Sequence, residues 1–218
     1  MLTDPVEIEI ISKAIQKNVR DPNRSREHFN RIFSDFLDRV RFKKAVLLDL
    51  GPGQYDFGEL ARKKGAATYG IDNDPAVIEL GQYKGFPVVH GDINDIRGEE
   101  FDTKFDGIFC KYSINAFWFT DDAEHEKHIR NITTMIKPGG WAWIAPWNGV
   151  TKNESLTEHD IRRILSVQVK AFKSAGFEAV DLTDELSKYY GVHGVTANRA
   201  LFVLRLKMPR SVRNCSRL

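Results

Sequence analysis

The sequence has few of the features that mark secreted, membrane-spanning or cysteine-ligated metal proteins. Its 218 residues include only two cysteines, Cys110 and Cys215, and no C-x-x-C pair, which excludes a disulfide framework and a four-cysteine zinc site. No stretch approaches the ~18 consecutive apolar residues of a membrane span. The N-terminus has acidic residues before any apolar run, unlike a secretory signal. We therefore expect a cytoplasmic protein.

The chain also has little net charge, because 32 basic side chains are balanced by 30 acidic ones. Such a balance does not require nucleic acid or a membrane surface as a partner. A nucleic-acid partner and the oligomeric state stay open. Hydrophobic residues make up 42% of the sequence, which is globular rather than disordered usage. At about 150 residues per domain, the length predicts one domain with an elaboration.

Short apolar runs alternate with helical patterns from residue 45 onward. This alternation predicts an α/β fold with a doubly wound parallel sheet. The segment 184–198, between the last two strands, lacks the pattern of a crossover helix, so we expect those strands to be antiparallel. The prediction is a mostly parallel seven-stranded sheet with a reversed last strand. Its expected strands cover residues 45–48, 67–71, 86–89, 105–110, 141–145, 177–183 and 200–206.

The flanking segments differ in character from this α/β pattern. Residues 1–43 carry helical stripes of apolar side chains and are predicted to form an N-terminal helical cap. Residues 44–208 are predicted to form the α/β domain. Residues 209–218 form a basic C-terminal tail.

A glycine-rich turn, Asp49-Leu-Gly51-Pro-Gly53, comes directly after the first predicted strand. Glycine lets the backbone approach a ligand closely, and the next helix offers unbonded N–H groups at its start. A plain strand-to-helix turn would have the same sequence. The functional interpretation therefore depends on the residues at the ends of the neighbouring strands.

Acidic residues stand at the ends of both of those strands. Asp72 ends the second strand, where a carboxylate can accept hydrogen bonds from ribose hydroxyls. Asp74 precedes Pro75 and is expected to cap the next helix, which would leave Asp72 for a ligand. Asp92 comes after the third strand and could accept a hydrogen bond from an adenine amino group. Either acid could also belong to an ordinary turn.

Taken in order, these motifs resemble those of the class I S-adenosylmethionine-dependent methyltransferases. The resemblance spans residues 45–147 and implies a Rossmann-like domain, S-adenosylmethionine as cofactor, S-adenosylhomocysteine as product and a small-molecule methyl acceptor. The matching segments are Val46–Gly53, Gly70–Asp72, Gly91–Ile93, Phe105–Ile108 and Ile136–Gly140.

The resemblance also implies which residues hold the cofactor. Tyr55 stands where the family usually has a third glycine, and we expect its ring to pack beside the methionine part of the cofactor. The expected cofactor-binding residues are Asp49, Gly51, Pro52, Gly53, Tyr55, Asp72, Asn73, Asp92, Ile93 and Lys111.

Two other nucleotide-binding patterns fit less well. A dinucleotide fingerprint that starts at Gly51 would need glycine at position 56, but Asp56 stands there and would repel a pyrophosphate. The G-x-x-x-x-G-K-[ST] pattern of a P-loop is absent.

Methyl transfer from a sulfonium requires mainly alignment and exclusion of water. A base is needed only where the acceptor must lose a proton. His193, between glycines in the loop before the last strand, is the candidate base, and Tyr112, after the fourth strand, could orient the acceptor. A surface histidine and a locally bonded tyrosine are the alternative interpretations. His125 and His128 are interpreted as packing or solvent-edge residues.

The resemblance implies no metal ion, because Cys110 and Lys111 stand where a metal-dependent subgroup has an acid. The expected function is methyl transfer to an oxygen or nitrogen of a small molecule. Two alternatives stay open. One is a non-methylating enzyme of the same fold, similar to an aminopropyl transferase. The other is an inactive cofactor-binding or regulatory module.

Overall fold

The computed structural model describes most of the α/β region and little of the flanks. Its backbone separates into two compact units, Met1–Ile93 and Asn94–Leu218. Tyr112, His193 and the predicted tail at 209–218 lie outside the described residues. The described residues are 4–6, 9–10, 40–111, 121–145, 158–181 and 202–206.

Between residues 40 and 93, the described part of the first unit contains three strands and two helices. Its strands pair in parallel, β1 with β2 and β2 with β3. The leucines of β1 have no exposed surface, as expected for a strand covered on both faces of a sheet. In chain order the elements are β1 (Val46–Leu50), α1 (Asp56–Lys63), β2 (Ala67–Asp72), α2 (Pro75–Tyr83) and β3 (Val88–His90).

Helix α2 begins as its sequence predicts. The carboxylate of Asp74 accepts a hydrogen bond of 2.9 Å from the backbone N–H of Ala76, and Pro75 occupies the first helical turn. Proline suits that position because it has no N–H to leave unbonded. The expected role of Asp74 as the cap is confirmed.

The second unit contains four strands and two helices among its described residues. Strands β4 and β5 pair in parallel, whereas β7 is antiparallel to both β5 and β6. The elements are β4 (Phe105–Lys111), α3 (Asp122–Thr134), β5 (Ile136–Ala145), α4 (Glu158–Ser174), β6 (Phe177–Asp181) and β7 (Phe202–Leu206).

Two strands begin at positions other than those expected. Strand β5 begins at Ile136 rather than residue 141, because Ile136 already pairs with Phe105 before the register shifts through Pro138 and the glycines. Strand β3 begins at Val88 rather than residue 86, since Pro87 has no N–H to donate to a ladder.

Only a few residues of the predicted N-terminal cap are described. Pro5, Val6, Glu9 and Ile10 are helical, and Ile10 is buried in a cluster with Tyr55 and Val77. Within the described part of the chain, no helix is both long and apolar enough to cross a membrane.

Candidate functional site

The three strand ends of the first unit are joined at one edge by backbone hydrogen bonds. The N–H of Gly51 donates to the carbonyl oxygen of Ile71 at 2.9 Å, and the N–H of Gly91 donates to that of Asp72 at 3.0 Å. The turn after β1, the end of β2 and the segment after β3 are therefore neighbours. Most of the expected cofactor-binding residues lie on this edge, as parallel strands require.

The backbone of the glycine turn borders open space. Gly51 and Gly53 have φ angles of 71° and 54°, which is the left-handed region that glycine enters at little cost. A Cβ atom at Gly53 would have nothing within 4 Å. Pro52 is buried, whereas Gly53 is exposed. A ligand can therefore approach the backbone at Gly53.

Asp49 is a buried acid in β1, directly before this turn. Its side chain belongs to the core, with 2% of the residue exposed. Loss of hydration raises its pKa well above the usual value, and the negative charges of Asp72 and Asp56 raise it further. The edge thus brings carboxyl groups together, and a cationic ligand group would stabilise their ionised forms where an anionic one would not.

Asp72 is half-buried at the end of β2, beside the exposed Asn73. One of its carboxylate oxygens accepts a hydrogen bond of 2.9 Å from the N–H of Asp74. Asp74 caps α2 as expected, and Asp72 also accepts a hydrogen bond in the turn into α2. Burial raises the pKa of Asp72, against the lowering effect of backbone hydrogen bonds from Asp74 and Asn73.

Tyr55 does not have the role expected for its ring. It is 1% exposed, its ring stacks on Phe86 with centroids 5.0 Å apart, and its hydroxyl donates to the carbonyl oxygen of Val77 at 3.1 Å. The ring fills a slot between Gly70 of β2 and Gly81 of α2. A ring so covered cannot pack beside a cofactor, so only the backbone of Tyr55 borders the turn.

The segment after β3 supplies one exposed and one buried residue. Asp92 is exposed, while Ile93 has 8% of its surface exposed. This pairing places an accessible carboxylate next to an apolar side chain, which is the combination expected of an adenine contact.

The other expected site residues do not belong to the first unit. Lys111 is the last residue of β4 in the second unit, and its side chain is not among those described. Tyr112 and His193 fall outside the described residues. In the part of the chain that the structure describes, no three His, Cys, Asp or Glu side chains gather as they would around a metal ion.

Lys84, directly after α2, was not among the residues expected at the site. Its ammonium donates to the carbonyl oxygen of Gln54 at 3.2 Å and to a carboxylate oxygen of Glu59 at 2.6 Å. Its partners lie 30 and 25 residues away along the chain, so no local spacing could have predicted the contact.

Comparison with known families gives one match in the α/β region. Residues 48–144 match a family model described as a methyltransferase domain. This range contains the glycine turn, Asp72 and Asp92. A search of curated proteins finds no significant match.

Several solved structures resemble the chain in fold. An S-adenosylmethionine-bound amino pentose methyltransferase from Micromonospora echinaspora has 17% identity and a TM-score of 0.59, with 94% of this chain and 98% of that one covered. The S-adenosylmethionine-bound magnesium protoporphyrin IX methyltransferase from Synechocystis has 14% identity and a TM-score of 0.54, with 88% and 83% covered.

A third similar structure is an N-methyltransferase from Bradyrhizobium japonicum in complex with S-adenosylhomocysteine. It has 16% identity and a TM-score of 0.51, with 84% of this chain and 88% of that one covered. At such identities the likeness concerns the fold, which is a Rossmann-like α/β fold with a parallel sheet.

Proposed function

We propose that this chain is a class I S-adenosylmethionine-dependent methyltransferase and that its cofactor binds along the edge that carries residues 51–55. The match of residues 48–144 to a methyltransferase-domain model supports this proposal. The methyl group goes to an oxygen or nitrogen of a small-molecule acceptor. The observation that carries the proposal is the alignment of the glycine turn with Asp72 and Asp92, held by the hydrogen bonds of Gly51 and Gly91.

The charge of this edge supports a sulfonium cofactor. S-adenosylmethionine carries a sulfonium and an ammonium group and no phosphate. The buried Asp49, with Asp56 and Asp72 close enough to raise its pKa, would attract such cations. The same carboxylates would repel the pyrophosphate of a dinucleotide.

Each residue of the edge has a proposed part in cofactor binding. Gly51 and Gly53 give the methionine part close access to the backbone, and buried Pro52 shapes the turn. Asp72 and Asn73 bind the ribose.

Three more expected residues complete the proposed cofactor contacts. Asp92 accepts from the adenine amino group, and Ile93 packs on the adenine ring. Lys111, at the end of β4, remains a proposed contact from the resemblance.

The chemistry needs little from the protein beyond alignment. When bound, the cofactor supplies a methyl group that is already electrophilic because it is attached to a positively charged sulfur. The protein must align the acceptor atom with the carbon–sulfur bond and exclude water. An amine or alcohol acceptor loses a proton, and we propose that His193 takes it while Tyr112 orients the acceptor.

The similar structures support small acceptors, nitrogen among them. One is named an amino pentose methyltransferase and another an N-methyltransferase. Oxygen stays within the proposal, since nothing in the described residues favours one atom over the other.

The proposal includes the strand arrangement of the sheet and the two flanking segments. It is a doubly wound, mostly parallel seven-stranded sheet with a reversed last strand, formed by residues 44–208. Residues 1–43 are proposed as a helical cap and residues 209–218 as a basic tail. The low cysteine content supports action in the cytoplasm.

A methyl-transfer assay tests this function. Protein and S-adenosylmethionine labelled in the methyl group are incubated with panels of amines, amino sugars, phenols and carboxylic acids. We expect label in one acceptor class and release of S-adenosylhomocysteine. Release of methylthioadenosine would favour the aminopropyl-transferring alternative. Cofactor binding without transfer to any panel would favour the inactive module.

A further inference from the structure

The two residues that follow the glycine turn, Gln54 and Tyr55, form hydrogen bonds with α2 and with the residue after it. Tyr55 donates through its hydroxyl to Val77 of α2, and the Gln54 carbonyl accepts from Lys84. We propose that Lys84 is a positioning residue for the cofactor: it holds the turn in the conformation that S-adenosylmethionine requires. This inference rests on the proposed function for the location of the cofactor.

The contact of Lys84 is shielded from water. Only 8% of the Lys84 side chain is exposed, and its ammonium lies 2.6 Å from the Glu59 carboxylate, of which 27% is exposed. The ammonium thus bridges α1, through Glu59, and the turn, through Gln54. A hydrogen bond from a charged donor is stronger than a neutral one, and shielding from water increases the difference.

The hydrogen bond from Lys84 to Gln54 lies next to a residue with an unfavourable backbone conformation, Tyr55. Tyr55 has φ and ψ angles of 64° and 23°, in the left-handed region that is unfavourable for residues with a side chain. A residue persists in such a conformation only where the surrounding structure holds it. The Lys84 bond to the preceding residue and the buried Tyr55 ring contribute to that restraint, together with the backbone hydrogen bonds that join Tyr55 to Pro52 and Glu59.

A loosened turn would bind the cofactor more weakly. If the turn occupies its binding conformation only part of the time, the apparent affinity falls by that fraction. The effect of Lys84 on the cofactor would then exceed its effect on the stability of the unit as a whole. That difference separates a positioning residue from one that merely supports the fold.

The test compares Lys84→Met with two matched variants. Arg62→Met removes a side chain that donates to the Lys84 carbonyl at 3.0 Å and lies over the Phe86 ring. Glu59→Gln removes the charge of the ion pair but keeps an acceptor for Lys84. Each variant is measured for S-adenosylhomocysteine affinity, melting temperature and amide hydrogen exchange at residues 53–56.

We expect Lys84→Met to weaken S-adenosylhomocysteine binding about tenfold and to accelerate exchange at residues 53–56. Arg62→Met and Glu59→Gln should keep their affinity within about twofold, even where the melting temperature falls. Unchanged affinity in Lys84→Met would overturn the inference. So would an equal loss of affinity in Arg62→Met.

A double variant and a measurement without cofactor cover the cases in which Lys84→Met does not fold or the wild type does not bind. If Lys84→Met does not fold, Glu59→Met/Lys84→Met leaves no buried charge without its partner and is compared with Glu59→Met. Failure of the wild-type chain to bind the cofactor would contradict the proposed function instead. Hydrogen exchange at the turn needs no cofactor and would still show whether Lys84 restrains it.

Discussion

At the scale of single residues, Asp49 is a buried acid whose ionisation has a cost for folding. Its carboxyl group is buried in β1 and its pKa is raised by loss of hydration and by neighbouring acids. Ionisation is therefore more costly in the folded chain than in the unfolded one. In the proposed function, a cationic cofactor bound at this edge would offset that cost.

We expect Asp49→Asn to be more stable than the wild type at neutral pH. The folded chain keeps its proton at pH values where the unfolded chain has lost it, so the wild type loses stability as pH rises above the unfolded value of 3.8. The amide cannot ionise, and relief of ~1 kcal/mol would raise the melting temperature by about 2–4 °C.

Thermal denaturation between pH 4 and pH 8 checks this expectation. The gain should be largest at the upper end and shrink toward the lower end, while affinity for S-adenosylmethionine falls. A variant that melts below the wild type at pH 8 would contradict the assignment of Asp49 as a destabilising buried acid.

Asp72 and Asp74 allow a matched comparison within one turn. Asp72→Ala should weaken cofactor binding tenfold or more, because a carboxylate that accepts from ribose hydroxyls contributes roughly 1.5–3 kcal/mol. Asp74→Ala should instead cost ~1 kcal/mol of stability by removing the cap of α2. Calorimetric titration and melting temperatures separate the two effects, and equal cofactor affinity in both variants would remove the ribose assignment.

Single residues also show where sequence reasoning reached its limit. The cap at Asp74 and the glycines at 51 and 53 could be predicted, because their roles depend on immediate neighbours. The direction of the Tyr55 ring could not, because it depends on a slot formed by Gly70 and Gly81 in other elements.

At the scale of elements, α2 and β2 pack closely against the ring of Tyr55 because each has a glycine at the contact. A Cβ atom at Gly81 would overlap the Tyr55 hydroxyl oxygen, and one at Gly70 would lie 3.2 Å from the ring. Glycine inside a helix ordinarily costs about 1 kcal/mol relative to alanine. Here it makes room for the Tyr55 ring.

We expect Gly81→Ala to destabilise the protein by about 1–3 kcal/mol, despite the better helix propensity of alanine. The loss should be smaller when the same change is made in a Tyr55→Leu background, where the overlapping hydroxyl is gone. Denaturant titration of the four proteins gives the coupling between the two sites. A Gly81→Ala protein that is more stable than the wild type would contradict the described packing.

The boundaries of the elements could also be predicted only where they depend on neighbouring residues. Buried strands such as β1 and β2 could be predicted from local apolar runs. The start of β5 could not, because the pairing of Ile136 with Phe105 is a contact between distant segments. Lys84 was missed for the same reason.

At the scale of the whole molecule, a buried polar pair links α3 to α4. The Nδ1 atom of His125 lies 3.1 Å from the Nε2 atom of Gln168, and both residues are almost fully covered. The interpretation of His125 and His128 as packing residues agrees with their burial. Burial is the main cause that lowers the pKa of His125; the charge of Arg163 lowers it as well, against Asp122, Glu124 and Asp121.

This burial predicts that stability falls in mild acid. The unfolded chain takes up a proton at His125 below the ordinary value of 6.5, whereas the folded chain resists it. The unfolded state therefore binds more protons, and the free energy of unfolding decreases as pH falls through and below that value. Denaturant titrations at pH 7.5 and 5.5 should show the decrease in the wild type.

His125→Gln supplies the control, since its amide does not titrate in this range. The variant should lose less stability between the two pH values than the wild type does. An identical pH dependence in the two proteins would show that His125 does not contribute to it.

The most direct test of cofactor binding at this edge is calorimetric titration of the purified chain with S-adenosylmethionine and, separately, S-adenosylhomocysteine. We predict micromolar binding of both, about 8 kcal/mol of free energy, and a large loss of affinity in Asp72→Ala. Absence of binding to either ligand by a folded wild-type chain would contradict the assignment of this chain as an S-adenosylmethionine-dependent enzyme.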